Sequence, residues 1–418
     1  MDAFRQDLIF AFRSLFRNPL FSVAAILTLG LGVGATTSMF SLVNGVLLRP
    51  LPYHEPDRLV RVFREELDAP GQYNVMSRPD LLDVAELPVY EALAGYAQRS
   101  EVLTGHGNAV LVPTGTVSSG LLEVFRLKAY MGRDIRVQES EPGMPKVVLV
   151  GYDFWANQLG ADPGALGTPL ELQGESFEII GVAPPGFDFP THSQLWRPYV
   201  MDPELCGRGC HSYNVLARLS PSNTLERARE QTEALGVRLR EEVPEANWHK
   251  GFRILSLRER VVGDVRAELW VLLGSVGLVL LVACANVANL LLARAQGRGT
   301  EVGIRAAMGA GRGRLLVQIL TESLVLSGLG GLLGLGIAFG GVALLKSLSP
   351  GNIPRIDEVG VDLPVLLFTL ALSLAAALAF GLSPALSLAR SSPAKVLSRS
   401  GRGGSSGRPS QRTRSVLM

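Results

Sequence analysis

"NPLFSVAAILTLGLGVGATTSMFSLVNGVLL", Asn18 to Leu48, holds no Asp, Glu, Lys, Arg or His in 31 residues. About 20 apolar residues suffice for a helix to cross the hydrocarbon core of a bilayer. Three more charge-free runs follow: Leu269–Ala293, Ser323–Leu345 and Leu363–Ala389, of 25, 23 and 27 residues. Each is mainly Leu, Val, Ala, Gly and Phe. The pattern predicts four transmembrane helices, the first separated from the rest by the 220 residues Arg49–Glu268. Only 19% of the 418 residues are charged, against about 25% in soluble proteins, and the deficit lies in these four runs.

A cleaved signal peptide is the competing reading of the first run, because Arg5, Arg13 and Arg17 form a basic leader. A signal core spans about 7–15 residues. This run continues through "TTSMFSLVNGVLL", so it is read as a retained anchor. Charge then orients the chain. Arg294–Arg314 has five Arg and one Glu, and Arg390–Met418 has six Arg, one Lys and no acid. Lys346–Asp362 has two basic and three acidic residues. The positive-inside rule puts both termini and the loop 294–314 in the cytoplasm, with residues 49–265 and 347–362 outside.

The external region is long enough for one or two globular units. "DRLVRVFRE" (Asp57–Glu65), "NAVLVPTGTVS", "SYNVLARL" and "FRILSLRERV" read as strands, and "RPDLLDVAEL" as a short helix. "SGLLEVF" reads as a helical turn begun by Ser. "KVVLVGYDFWANQLG" is a buried strand running into a helix that stops at Gly160. "TPLELQGESFEIIGVAPPGFDF" is a hairpin turning at Gly174. Asn223 with Glu226 resembles a capping box for a helix through Glu242. "VVGDVRAELW" leads into the second span with no breaker, so that helix is expected to project beyond the membrane surface. The class is α+β.

Chemistry-bearing motifs are scarce. No lysine follows a glycine, so there is no P-loop, and H-E-x-x-H and G-x-S-x-G are absent. His54, His106, His192, His211 and His249 are scattered through the external region and read as surface or structural residues. No metal, no cofactor and no nucleic-acid partner is expected. Cys206 and Cys210 form a C-x3-C pair; outside the cell a local disulfide is the first reading, with reduced thiols as the alternative. Haem attachment wants C-x-x-C-H, one residue shorter. Cys284, inside the second span, reads as a packing residue.

"RSLFRNPLFSVAAILTLGLGVGATTSMFSLVNGVLLRPLPY" resembles the first span of bacterial MacB-type permeases, most of all the tandem duplicated orphan permeases. "GRDI" followed by "VVLVGYDFWANQLGADPGALGTPLELQGESFEIIGVAPPGFDFP" resembles their external core domain. "ANVANLLLARAQGRGTEVGIRAAMGAGRGRLLVQILTESLVLSGLGGLLG" is similar to the FtsX-like permease module. Together these cover nearly the whole chain in the family's order. The resemblance implies an α-helical membrane protein with four transmembrane helices and a large extracytoplasmic α+β domain, the MacB-type periplasmic core domain, inserted between helices 1 and 2.

The expected organisation is as follows. Residues 1–19 form a cytoplasmic segment, 20–48 the first span, 49–265 the periplasmic domain and 266–293 the second span. Residues 294–314 are a cytoplasmic coupling-helix loop, 315–346 the third span, 347–362 a short periplasmic loop and 363–389 the fourth span. Residues 390–418 are a disordered basic tail, and 266–390 make the FtsX-like module.

Function follows from the same resemblance. Such permeases are type VII ABC transporters: a cytoplasmic ABC ATPase subunit binds the ATP, and the permease carries its motion to the external domain. Export or efflux, with periplasmic or outer-membrane efflux partners, is the first expectation. A non-transporting FtsX-like scaffold controlling a wall hydrolase, or lipoprotein extraction, is the alternative. Tandem members repeat the whole unit, so this single unit is expected to pair with a second permease unit, itself or a paralogue, in the bacterial inner membrane. The family's coupling helix matches at Glu301, Gly303, Ile304, Arg305 and Gly309. Glu301 and Arg305 are i,i+4 in the favoured orientation, and the bland reading of this stretch is a basic helix on lipid headgroups.

For helix packing, Asn286 and Asn289 lie one turn apart in the second span and suit interhelical hydrogen bonds. Gly30 with Gly34, and Gly330 with Gly334, are G-x-x-x-G pairs, as are Gly336 and Gly340. A dimer seam through the first two spans is expected from them.

Overall fold

The computed structural model describes residues 2–69, 71–105, 108–190, 192–201, 207–247, 249–297, 312–348 and 355–390. It divides into two compact units, Met1–Arg49 with Val265–Met418, and Pro50–Asp264.

The chain opens with α1 (Asp2–Arg17), a helix hidden from sequence reading by its charges. It breaks at Asn18, whose backbone is not helical, and α2 (Pro19–Val43) follows. Pro19 suits the first helical position because its missing N–H needs no partner there. Asn44–Leu48 extend α2 as a π-helical turn, in which the Arg49 N–H reaches the Asn44 carbonyl at 2.8 Å.

The external unit then runs β1 (Leu59–Glu66), β2 (Tyr73–Asn74), α3 (Arg78–Ala85), β3 (Tyr90–Thr104), β4 (Val110–Val117), α4 (Leu121–Val124), β5 (Met131–Gly132), β6 (Val147–Val150) and α5 (Tyr152–Gln158). It continues with β7 (Pro169–Leu172), β8 (Glu175–Val182), β9 (Leu195–Pro198), β10 (Asn214–Leu219), α6 (Leu225–Glu242), α7 (Pro244–Asn247) and β11 (Lys250–Ser256). All the strands join one mixed sheet in the order β11-β1-β10-β3-β4-β9-β6-β8-β5, with β2 on β1, and β7 on β3 and β8. Pairing is antiparallel except β4 with β9 and β6 with β8.

Both faces of the sheet are covered, so strand residues alternate between two cores. On β1, Leu59 joins Phe125 and Trp196, while Val60 and Val62 join Leu235 and Leu239 of α6. On β10, Val215 and Ala217 face α6 and Leu216 faces the other way. A third core packs Phe154 and Trp155 of α5 on Leu170 and Phe177.

Two local readings need correction. The cap of α6 is Thr224, whose hydroxyl accepts the Arg227 N–H at 3.3 Å, so the Asn223–Glu226 box does not form. The strand in "FRILSLRERV" ends at Ser256, whose hydroxyl accepts the Glu259 N–H at 3.0 Å and so starts a helix. That helix, α8 (Leu257–Gly297), runs unbroken for 41 residues, about 61 Å at 1.5 Å per residue. It begins nine residues before the predicted start of the second span at 266. Last come α9 (Arg312–Leu348) and α10 (Leu363–Arg390). Stretches long and apolar enough to cross a membrane are Pro19–Leu48, Val265–Ala293, Val317–Leu348 and Leu363–Gly381.

Candidate functional site in the membrane bundle

The four glycines of the first and third spans face one another. A Cβ on Gly30 would lie 2.7 Å from Leu333 Cδ2, and one on Gly34 would lie 2.8 Å from Ile337 Cβ and 2.9 Å from the Gly334 carbonyl oxygen. From the other side, a Cβ on Gly330 would meet Leu29 Cβ at 2.8 Å, and one on Gly334 the Gly34 nitrogen at 3.0 Å. Small residues let backbones approach this closely. The glycine face of α2 is therefore filled by α9 of the same chain, and the expected dimer seam does not run through it. Gly336 and Gly340 have nothing within 4 Å.

Serines fill further glycine notches: Ser38 against Gly341, Ser373 against Gly331 and Ser323 against Gly381. Several hydroxyls in the bundle turn to backbone. Thr36 donates to the Gly32 carbonyl at 2.8 Å, Ser38 to Gly34 at 2.9 Å and Ser41 to Thr37 at 2.9 Å. Ser327 donates to the Ser373 carbonyl of α10. Such bonds let polar residues sit where water is absent.

The second span differs. Among the described residues one stripe of it is buried, Leu269, Leu280, Ala283, Cys284, Val287 and Leu291. Asn286 and Asn289 are exposed on the outer face. Sequence reading paired them with another helix; within the chain that partner is absent among the described residues.

The external unit holds a polar cluster at the edge where β1 meets β11. The register sets Glu66 opposite Lys250 and Arg64 opposite Phe252. Arg64 pairs with Glu66 at 2.7 Å, and His249 Nε2 lies 3.1 Å from Glu66 Oε2. His211 Nε2 stands 3.0 Å from Arg64 Nη1 and 3.4 Å from Lys250 Nζ. Burial, then Arg64 and Lys250, lowers the pKa of His211. Desolvation also lowers that of Lys250, with Arg64 adding to it. The scatter of histidines along the sequence thus hides that His211 and His249 border one polar cluster. Arg208 bridges Asp80 at 2.8 Å and Asp83 at 2.6 Å beside this cluster.

Residues 22–235, half of the chain, match the MacB-like periplasmic core domain. Residues 274–393 match the FtsX-like permease C-terminal domain. The chain belongs to the MacB/FtsX-like family of ABC transporter permeases. An uncharacterised ABC transporter permease of Bacillus subtilis strain 168, YvrN, is 24% identical over 413 residues, covering 93% of this chain and 98% of the relative. YknZ from the same strain is 28% identical over 293 residues, 67% and 68% of the two chains. The pyoverdine export ATP-binding/permease protein PvdT of Pseudomonas aeruginosa PAO1 is 28% identical over 275 residues, and this chain spans 38% of that longer protein. Among solved structures, the periplasmic region of MacB from Actinobacillus actinomycetemcomitans has a TM-score of 0.38 at 14% identity, covering 55% of this chain and 97% of that one. The extracellular domain of the YknZ transporter has 0.35 at 15% identity, with 47% and 99% covered. The assignment rests on the family matches.

In this permease the positions expected to couple to an ATPase, Glu301, Gly303, Ile304, Arg305 and Gly309, lie outside the described residues, between the end of α8 at Gly297 and the start of α9 at Arg312. Cys206 also lies outside them. Cys210 is disulfide-bonded, and Cys284 is free and buried. The four apolar helices and the family make the permease a multi-pass membrane protein. Membership of the ABC class implies an ATPase partner.

Proposed function

We propose that this chain is the inner-membrane subunit of an export machine, with both termini in the cytoplasm, which receives ATP-driven motion at residues 294–314 and passes it outward. The observation that carries the reading is α8: one unbroken helix spans from that loop to the last strand of the external unit. A helix of this length transmits torsion and tilt that a jointed connection would dissipate. ATP is bound by the partner, because the sequence has no P-loop. The export names of PvdT and of the Hyphomonas neptunium macrolide exporter MacB, 36% identical over 137 residues, support efflux as the task. Efflux partners outside the membrane complete that reading.

A second permease unit covers the outer face of α8. Exposed asparagine side chains in hydrocarbon lose water without gaining a partner, and a facing helix with the same residues supplies one. The Cys206–Cys210 pair closes as a local disulfide, which accounts for the bonded state of Cys210.

The test is a pull-down from native membranes with the intact chain and with Arg305→Glu, followed by ATP hydrolysis and a fluorescence distance across the external unit. The expected result is an ATPase recovered by the intact chain, whose ATP-driven distance change is lost in Arg305→Glu while the permease stays folded. Recovery of no ATPase, or normal coupling in Arg305→Glu, would sink the proposal.

A further inference from the structure

The loop segment 355–362, just before the fourth span, is tied to the outer end of the first by bonds of several kinds. Arg355 Nη1 donates to the Arg49 carbonyl at 2.8 Å and lies 3.5 Å from the Val46 carbonyl. The same guanidinium is held by Glu358 at 3.0 and 2.7 Å, and its side chain is only 7% exposed. Arg355 has a φ of 60°. Glycine is the residue favoured in that region, so the side-chain bonds of Arg355 offset a backbone cost.

Seven residues on, Asp362 accepts the Val365 N–H at 3.2 Å and so caps α10. Its carboxylate also accepts Asn44 Nδ2 at 3.1 and 3.3 Å. The loop therefore sets a cation at the C-terminal end of the first span and an anion at the N-terminal end of the fourth. Both complement the helix dipoles.

Packing reinforces the tie. A Cβ on Gly45 would lie 3.0 Å from Val359 Cα, so only glycine admits the loop so close. Phe40 stacks on Phe368 with centroids 3.8 Å apart at 9°. Deeper, Thr37 and Thr369 share a hydrogen bond of 3.1 Å. Contacts thus run up α2 and α10 from Thr37 to Arg49. At their top, α2 adopts a π turn, a form found as short insertions and often at functional sites. Arg49 is followed directly by Pro50, the first residue of the external unit.

We propose that this loop is a mechanical clamp, with Arg355 and Asp362 as its positioning residues, which forces the outer end of the first span to move with the third and fourth. The π turn is its grip: it widens the last turn of the helix, and the loop holds it in that shape. The clamp rests on the membrane-span reading alone. Its test uses the permease without any ATPase, so the clamp and the export proposal fail separately.

The full chain is placed in lipid nanodiscs, and amide exchange is followed at residues 44–49. Asn44→Ala removes one clamp bond and leaves the α10 cap intact, so it serves where Asp362→Ala fails to fold. Arg355→Ala removes the other, and Glu358→Gln weakens the arginine's support while leaving its carbonyl bonds. Asn44→Ala and Arg355→Ala are each expected to raise exchange at 44–49 about tenfold or more, Glu358→Gln by less, and all to leave Gly30–Thr37 unchanged. Spin labels at the exposed Leu48 and Leu363, in a Cys284→Ala background, are expected to give one narrow distance distribution that broadens in Arg355→Ala. Unchanged exchange at 44–49, a rise spread over all four spans, or a broad distribution before mutation would each overturn the clamp.

Discussion

Gly34 and Gly340 should respond differently to the same substitution. A methyl group on Gly34 would sit 2.8 Å from two carbons of Ile337 and 2.9 Å from the Gly334 carbonyl oxygen. Carbon atoms prefer about 3.5–4.0 Å, so the shortfall is about 0.7 Å or more. The obstacles are a backbone oxygen and the branched carbon of Ile337, neither of which can swing away, so α2 and α9 must separate. Overpacking of this kind costs about 1–3 kcal/mol. Replacing a helix-interior glycine by alanine returns up to about 1 kcal/mol of helix propensity. Gly34→Ala should therefore be neutral to destabilising by about 2 kcal/mol. Gly340 meets nothing within 4 Å, so Gly340→Ala keeps only the propensity gain and should stabilise by up to about 1 kcal/mol. Denaturant titration of both variants in the same micelles reads the difference, expected at about 1–3 kcal/mol. Equal midpoints, or a Gly34→Ala protein more stable than Gly340→Ala, would refute the glycine seam.

Acid should loosen the edge of the external unit. The pKa of His211 is lowered below the ordinary histidine value of 6.5 by burial, Arg64 and Lys250, so the unfolded chain takes up this proton first. The stability His211 provides is then full above pH 6.5 and is lost as pH falls through the folded value; His211→Gln should flatten that part of a melting-temperature profile. Arg218 is fully buried, with Nε on the Val124 carbonyl at 2.6 Å and Nη2 on the His54 carbonyl at 2.8 Å. Arg218→Ala orphans two carbonyls and leaves a cavity, for an expected loss of about 2–5 kcal/mol by thermal melting of the full chain. Asn286→Leu and Asn289→Leu should each weaken self-association in micelles by about 3- to 30-fold, the equivalent of one interhelical hydrogen bond of roughly 0.6–2 kcal/mol, as read by analytical ultracentrifugation.

Features set by local pattern could be read directly from the sequence. Charge-free runs mark the spans because a charged side chain is costly in hydrocarbon. The hairpin of β7 and β8 is visible because Gln173 and Gly174 both take positive φ, 54° and 76°, in a turn between alternating strands. Features set by distant partners could not be read. The 15 residues of β3 include Gly95, Ala97 and the polar run Arg99-Ser100-Glu101, which read as no strand. Gly95 is needed because Leu81 and Tyr213 come within 2.5 Å of where its Cβ would stand, a demand made by other elements. His211 and His249 join one polar cluster only because β10 and β11 both pair with β1. The periodicity of Gly30 and Gly34 marks a small-residue face but carries no information on which helix fills it.

The two crossings between the units differ in kind, and the difference suits the proposed export role. At Arg49–Pro50 the chain leaves a π turn whose carbonyls are held by Arg355, and Pro50 cannot continue the helix. A rotation of α2 about its own axis is resisted by the clamp and is not carried onward as helical torsion. At Asp264–Val265 the chain is in mid-helix, with α8 continuous on both sides, so under the proposed function α8 is the element that carries motion onward. Under the two proposals, one crossing acts as an anchored pivot and the other as a rod. Under the proposed loop function, force entering beside the rod's inner end needs such a fixed point to act against. A bundle free to turn at both crossings would rotate as a whole and leave the external unit unmoved.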